Sequence, residues 1–337
     1  MGKTTIEWTD ATWNPVSGCT PVSAGCQHCW ARRMAQRQAG RNGYPADEPF
    51  RPIFHDDRLD EPRRWKKPRR IAVGLMGDLF HEKIGVDEIR FVWRTMAACP
   101  QHTFQVLTKR PWRMATLLPG FGEPLENVWI GTSIEDQAAA DERIPWLLKC
   151  SAAVRFLSCE PLLGPVDLKL DCIERFDDGT GFLHNSEKWH PCDYTCGGSE
   201  TKGGIDWVIA GGESGPGARP ANPDWFRFLR EQCQAANVAF FFKQWGEWAP
   251  FATHAVYQDG TEEGGDCGGP GAITFEPHGM GTVTLRGGRQ KRCAIAYQIP
   301  GHWWGRNQGN SGTYCRVGKK AAGCLLDGHE HKEFPKP

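Results

Sequence analysis

Thr103-Phe-Gln-Val-Leu-Thr-Lys-Arg-Pro-Trp-Arg-Met-Ala-Thr-Leu117 contains one complete structural unit. Thr103 to Leu107 is a short β-branched and aromatic run, which predicts a buried strand. Pro111 to Leu117 begins with proline at a first helical position, which predicts a helix. Between them stand Thr108, Lys109 and Arg110, polar residues at the strand's carboxyl end. The same order recurs along the chain. Further strands are expected at Thr5 to Trp8, Ile71 to Met76, Val128 to Gly131, Val154 to Leu157, Trp207 to Ala210 and Val238 to Phe242, with helices at Trp30 to Ala39, Val86 to Ala98, Glu135 to Leu148 and Pro223 to Ala236. Such a repeat predicts an α/β chain that closes into a full or partial (β/α) barrel or opens into a doubly wound sheet. In either case functional residues collect at the carboxyl ends of the strands.

Those ends are polar throughout. They read Gly77-Asp78, Thr108-Lys109-Arg110, Thr132-Ser133-Ile134-Glu135, Ser158-Cys159-Glu160-Pro161, Gly211-Gly212-Glu213-Ser214 and Lys243-Gln244. Turn and cap preferences explain one or two of these, whereas six in succession predict a shared pocket. Two loop-rich insertions break the rhythm, Asp167 to Gly204 and Asp259 to Gly288. The expected organisation is a barrel over 1–250, interrupted by a Cys/His-rich insertion at about 167–204, with a Gly-rich extension over 251–337 packing on it.

Composition narrows the function classes. Forty Lys plus Arg balance forty Asp plus Glu among 337 residues, so any nucleic-acid site is local rather than spread over the surface. The first ten residues are polar and lack a signal-peptide core, and no stretch reaches the roughly 18 apolar residues that span a bilayer, so a soluble, cytoplasmic protein with no membrane partner is expected. Fourteen cysteines in such a chain read as metal ligands and free thiols rather than a disulfide framework. Cys19, Cys26 and Cys29 form a C-x6-C-x2-C cluster in a Gly/Pro/Ser loop ahead of a helix. The spacing leaves three readings open: an iron–sulfur cluster with one iron free for another ligand, a zinc site completed by a distant residue such as His28 or His55, or buried thiols.

Several stretches together resemble the radical S-adenosylmethionine (radical SAM) enzymes, and within them the phage-associated radical-SAM-like family often encoded beside a three-cysteine-motif partner protein. These are Ile6-Glu-Trp-Thr-Asp-Ala-Thr-Trp-Asn-Pro15, Gly77-Asp-Leu-Phe-His81, Phe104-Gln-Val-Leu-Thr-Lys-Arg-Pro111, Ser158-Cys-Glu-Pro161, Trp207-Val-Ile-Ala-Gly-Gly-Glu-Ser-Gly215, Phe241-Phe-Lys-Gln-Trp-Gly246 and Arg316-Val-Gly-Lys-Lys-Ala-Ala-Gly323. The commonest radical SAM spacing is C-x3-C-x2-C with an aromatic before the third cysteine. Here the first gap is six residues, His28 precedes Cys29 and Trp30 follows it. The resemblance implies a radical SAM barrel in which Cys19, Cys26 and Cys29 hold a [4Fe–4S] cluster whose fourth iron binds S-adenosylmethionine. Reductive cleavage then gives a 5′-deoxyadenosyl radical that takes hydrogen from a substrate, with an electron donor as a necessary partner and the three-cysteine-motif protein as a further one.

Roles for the rim residues follow from that resemblance. Asp78 would contact the cofactor's ammonium or cap a helix. Ser133 and Glu135 would bind ribose hydroxyls, Glu135 being equally a first-turn acid. Gly211, Gly212, Glu213 and Ser214 would let backbone approach a flat ring or simply make a turn. Lys109, with Arg110, would hold an anionic substrate or be a solvated charge. Cys159 would return a hydrogen atom to a product radical, tuned by Glu160, or be a buried small hydrophobe. Outside the rim, Arg63-Arg64-Trp65-Lys66-Lys67-Pro68-Arg69-Arg70 offers cations and a ring to nucleic acid, or is a solvated charge run. Cys172, Cys192 and Cys196, with His184 and His190, could hold a second metal such as zinc. Three functions are expected in that order: a radical SAM enzyme modifying or repairing a nucleic-acid base, one acting on a peptide or small metabolite, and a non-catalytic zinc-stabilised binding protein.

Overall fold

A computed structural model describes residues 4–170, 204–250 and 318–335, with short strands at 173–175, 181–183, 273–275, 281–285, 289–293, 296–298 and 313–316. Seven strands form one sheet in chain order: β1 (Ala11–Trp13), β2 (Arg70–Val73), β3 (Thr103–Thr108), β4 (Val128–Ser133), β5 (Val154–Cys159), β6 (Trp207–Gly211) and β7 (Ala239–Gln244). Every neighbouring pair is parallel. Because the order never reverses, right-handed crossovers put the helices on one face and the sheet curls as a half barrel, whereas a doubly wound sheet reverses part-way. The crossover helices are α1 (Trp30–Arg37), α2 (Val86–Ala97), α3 (Pro111–Leu117), α4 (Gln137–Leu148) and α5 (Pro223–Ala235). Among the described residues no helix lies between β5 and β6, where the first insertion falls. None of the described helices is long and apolar enough to cross a membrane.

Local chemistry explains the element boundaries. The first strand lies later than Thr5 to Trp8, because the Asp10 carboxylate accepts the Arg70 amide at 2.8 Å and the Asp10 amide donates to the Arg70 carbonyl at 2.9 Å, which registers Ala11 on Ile71. Trp8 is left to fill the barrel. α4 begins at Gln137 rather than Glu135, because Asp136 caps it by accepting the Ala139 amide at 2.9 Å.

Side chains alternate along each strand and sort the core into two layers. Ile71, Val106, Ile130, Leu157, Cys159, Val208, Ala210 and Phe242 pack against the helices. Ala72, Trp129, Phe156, Trp207, Ile209 and Phe241 gather on the concave face around Trp8. Trp207 is the centre of that face, with ring centroids of Trp8, Trp129, Phe156 and Phe241 at 5.8 to 6.3 Å. Gly131 makes room for this layer: a β-carbon there would lie 2.6 Å from the Phe156 ring.

Residues after the second insertion close the barrel. α6 (Lys319–Ala322) lies over the carboxyl end of β7, where the Trp245 indole donates to the Leu325 carbonyl at 2.8 Å. The chain then runs antiparallel along β7, the Phe242 amide donating to the His331 carbonyl and the Glu333 amide to the Phe240 carbonyl. Lys332 ion-pairs with Glu7, ahead of β1, and Phe334 packs on Trp207 at 5.1 Å beneath the Arg70 guanidinium. The segment from His331 to Phe334 therefore spans the seam between the first and last strands.

Candidate active site

The cysteine loop is built where β1 and β2 end. Val16–Ser17 pairs antiparallel with Ile53–Phe54 and delivers the chain to Gly18, which adopts φ +80° and bridges to Gly77 after β2. Only glycine fits at 18, since a β-carbon would meet the Arg51 carbonyl oxygen at 2.1 Å. Cys19, Cys26 and Cys29 are free and half-buried, and Cys29 stands immediately ahead of α1.

Two guanidinium groups grip this loop. Arg110, 1% exposed, donates to Cys19 Sγ at 3.3 Å, to the Thr20 carbonyl at 3.2 Å and to Thr20 Oγ1 at 2.9 Å. Arg219 donates to the Ala24 carbonyl at 3.1 Å and the Gln27 side chain at 3.3 Å. Each is itself held by a carboxylate: Arg110 by Asp78 at 3.2 Å and Glu82 at 2.8 Å, Arg219 by both oxygens of Glu213. Asp78 also accepts the amides of Phe80 and Lys109 and the Thr108 hydroxyl, so its acceptor capacity is used in joining the ends of β2 and β3. It is a positioning residue here, and a role on a cofactor ammonium has no free oxygen to rest on.

Glu135 is likewise turned inward. It is 1% exposed and pairs with Lys109 at 3.1 Å and Arg143 at 2.9 Å beneath Gly25 of the cysteine loop. Burial alone would raise its carboxyl, but Lys109 and Arg143 outweigh it and hold the group below the usual range. Ser133 is buried, and its carbonyl accepts from Arg143. Neither faces the pocket as ribose ligands would need to.

The three sulfurs lie in unlike fields. Burial, and then the Asp78 charge, push the Cys19 thiol up to about 12 despite the Arg110 contact. For Cys26 burial acts upward too, yet the Lys109 ammonium and the amides of Val22 and Ser23 prevail and leave the thiol more acidic than usual. Cys29 faces a cavity of about 290 Å³ that opens at the carboxyl ends of the strands. Its floor is apolar, formed by Ile6, Trp8, Leu75 and Leu107, and its walls carry Lys109, Ser158, Glu160, Gly212, Glu213, Ser214, Lys243 and Gln244. Glu160 accepts Lys243 at both oxygens, 2.7 and 2.8 Å, and Gln244 at 3.0 Å.

Two expectations about this wall are corrected. Cys159 does not face the pocket. Strand alternation turns Ser158 and Glu160 inward and puts Cys159, 0% exposed, among the helix-facing apolar residues, where burial raises its thiol to about 12. Gly212 does not open the backbone to a flat ring, because the space where its β-carbon would lie is taken by the Trp245 carbonyl oxygen at 2.0 Å. Gly211, one residue earlier, leaves room for the Glu160 side chain.

Among the described residues no three His, Cys, Asp or Glu side chains converge closely enough to hold a single metal ion. A mononuclear zinc gathers its ligands around one point, whereas cysteines on a [4Fe–4S] cluster each take a different iron and need not meet. Three half-buried thiols on one loop, with an ammonium and a guanidinium beside them, fit the donor set of an anionic cluster. His28 lines the cavity beside Cys29, while His55 is engaged elsewhere, its Nε2 2.7 Å from Ser17 Oγ under the strand pair that supports the loop. Burial, then the Arg58 charge, lower His55 to about 4. Unfolding restores its ordinary value of about 6.5, so the unfolded chain binds the extra proton between those values and stability falls as pH drops through that window. Thermal melts from pH 7 to pH 4 are expected to show that loss, and His55→Asn to flatten it. Cys172, Cys192 and Cys196, with His184 and His190, lie outside the described residues.

A family model described as "Protein of unknown function (DUF5131)" matches residues 3–335. The chain belongs to this family. No curated protein and no solved structure matches it. The DUF5131 match thus spans the cysteine loop, the half barrel and the closing segment together, so all three are parts of one family unit.

The basic stretch before β2 lies at the opposite end of the sheet from the cavity. Arg63 pairs with Asp60, and Arg70 with Asp10. The Trp65 ring is half-buried, 6.1 Å from His102 with Arg69 over its face, against the helix-side core, which leaves less of it for a base to stack on; Arg64, Lys66 and Lys67 are exposed. Sequence reasoning missed the loop-gripping role of Arg110 and Arg219. The signal for Arg110 was its place at a strand end next to the lysine that reaches Glu135, but nothing in the sequence shows that a cation there is buried.

Proposed function

We propose that this protein is a cytoplasmic radical SAM enzyme in which Cys19, Cys26 and Cys29 hold a [4Fe–4S] cluster, and that its substrate is a base in nucleic acid. The observation that carries the reading is the placement of three free cysteines on one braced loop at the carboxyl rim of a parallel half barrel, with Cys29 in the wall of an apolar-floored cavity. When bound, the cluster and S-adenosylmethionine supply a carbon-centred radical able to take hydrogen from an unactivated position. The chain's own residues do the rest. Arg110 and Arg219 hold the loop, so the sulfurs need little reorganisation to bind iron. Lys109 favours the Cys26 thiolate, the form in which the sulfur binds metal. Ile6, Trp8, Leu75 and Leu107 keep the cavity floor dry, which protects a reactive intermediate from side reactions. Lys243, fixed by Glu160, places a positive hydrogen-bond donor on the opposite wall.

Anaerobic reconstitution with ferrous iron and sulfide tests the reading. The expected result is about four irons per chain, broad visible absorbance, and consumption of S-adenosylmethionine once a reductant is added. Uptake of zinc in place of iron, or a loaded cluster that leaves S-adenosylmethionine intact under reduction, would overturn it.

A further inference from the structure

We propose that a single nucleic-acid strand docks at the cavity mouth along α1 and α6, not on the basic stretch before β2. The inference rests on the nucleic-acid reading of the substrate and assigns its interface. Trp30 lines the cavity and is 47% exposed, the indole lying at the mouth rather than in the core. Arg33 and Arg37 follow it at i+3 and i+7, so the three share one face of α1, while Ala31 and Ala35 are the buried positions of that helix. No carboxylate lies in salt-bridge contact with Arg33 or Arg37 among the described residues, and the Arg33 Nε has no partner.

The turn after β6 fixes one of these cations at the mouth: Arg33 donates to the Ser214 carbonyl at 3.1 Å and lies against Gly215. Lys319 of α6 lines the cavity opposite α1; burial and then Lys243 lower its amine, and neither it nor the exposed Lys320 is in salt-bridge contact with an acid among the described residues. Of the acids here, Glu160 is matched by Lys243 and Glu213 by Arg219, while Glu247, which accepts the Gly215 amide and acts on Lys319, offsets one cation. The mouth therefore carries surplus positive charge around an exposed aromatic ring, the combination that holds phosphates and stacks a base.

Size keeps the strand outside. A cavity of about 290 Å³ is at the small end of ligand sites, which run from roughly 300 to 1,000 Å³. With the cluster and S-adenosylmethionine seated there it holds no base besides, so the strand stays at the mouth with a base stacked on Trp30. The stretch before β2 offers cations as well, but its ring is half-buried with Arg69 over its face, and its loop is at the far end of the strands.

The test uses the cluster-free protein, so it does not depend on radical chemistry. Binding of a short fluorescein-labelled oligothymidylate is followed by anisotropy at several salt concentrations. The variant Arg37→Gln, Lys319→Gln, Lys320→Gln is expected to weaken binding and to lower the log–log salt slope by about 2, at roughly 0.7 per lost contact. Trp30→Ala is expected to weaken binding about tenfold with the slope unchanged. These positions are exposed, and circular dichroism of each variant matching the wild type confirms that the fold is kept. The variant Arg63→Gln, Arg64→Gln, Lys66→Gln, Lys67→Gln is expected to bind as the wild type does. Wild-type affinity in the rim variants, loss confined to the Arg63 to Lys67 variant, or no oligonucleotide binding by the wild type overturns the proposal. Rim-dependent binding by a protein that takes up no iron would keep the interface and refute the enzymatic reading alone.

Discussion

Replacing Cys19, Cys26 or Cys29 singly by Ala is expected to reduce reconstituted iron from about four per chain to a small residue and to abolish S-adenosylmethionine consumption. The loop supplies no fourth thiol, and four buried cysteines cannot substitute. Cys99, Cys150, Cys159 and Cys233 are buried in the helix-facing layer, on the far side of the sheet from the cavity, and Cys324 lies beyond α6. Cys99→Ala and Cys233→Ala serve as controls, expected to cost stability through small cavities while leaving iron content unchanged. Full iron in all three loop variants, measured by a colorimetric assay on anaerobically reconstituted protein, would show that these sulfurs are not the ligands.

Arg110→Met is expected to destabilise the protein by about 3–5 kcal/mol, the range for breaking a buried ion pair and leaving one charge behind. The stranded group is Asp78, 4% exposed, together with the Thr20 carbonyl and hydroxyl that Arg110 satisfies. Arg110→Lys is expected to recover only part of the loss, because one ammonium cannot reach Asp78, Glu82 and the cysteine loop as a guanidinium fork does. The combination with Asp78→Asn is expected to cost less than the sum of the two single changes, since both remove the same pair. Urea midpoints for the four proteins check this. Additive losses would mean that Asp78 and Arg110 act separately and that the grip on Cys19 is not what burial of the pair supports.

The order of strands and helices was legible because Pro111 and Pro223 mark helix starts and because β-branched and aromatic runs mark buried strands. The first strand was misread for a physical reason: Ile6 and Trp8 are apolar enough to be a strand but serve as the floor of the barrel, and registration by Asp10 on Arg70 is a long-range event. Alternation was hidden in the fully buried β5. Apart from the buried Arg155, Val154 to Cys159 is apolar or small on both faces, so only the neighbours reveal that Ser158 turns in and Cys159 out. The rim itself was legible as a set of polar strand ends, yet the jobs of its members were not. Asp78 and Glu135 look like ligand-binding acids in one dimension and prove to be buried counter-ions, a distinction set by cations from β3 and α4 that only folding brings to them.

The segment from His331 to Phe334 carries a consequence for how the molecule is made. Lys332 meets Glu7 across 325 positions of sequence, the two ends of a loop that encloses nearly every other residue. Contacts of such separation form late, since closing a long loop must precede any gain from them. Until then the Trp207 and Phe241 rings lie open at the foot of the barrel, because Phe334 is the residue that covers them. A nascent chain with all its strands and its cysteine loop already synthesised is therefore still an unsealed vessel, with a sticky aromatic surface for chaperones or aggregation to find. The cysteine loop is written early in the chain, and the lid on the barrel's foot is written at residue 334.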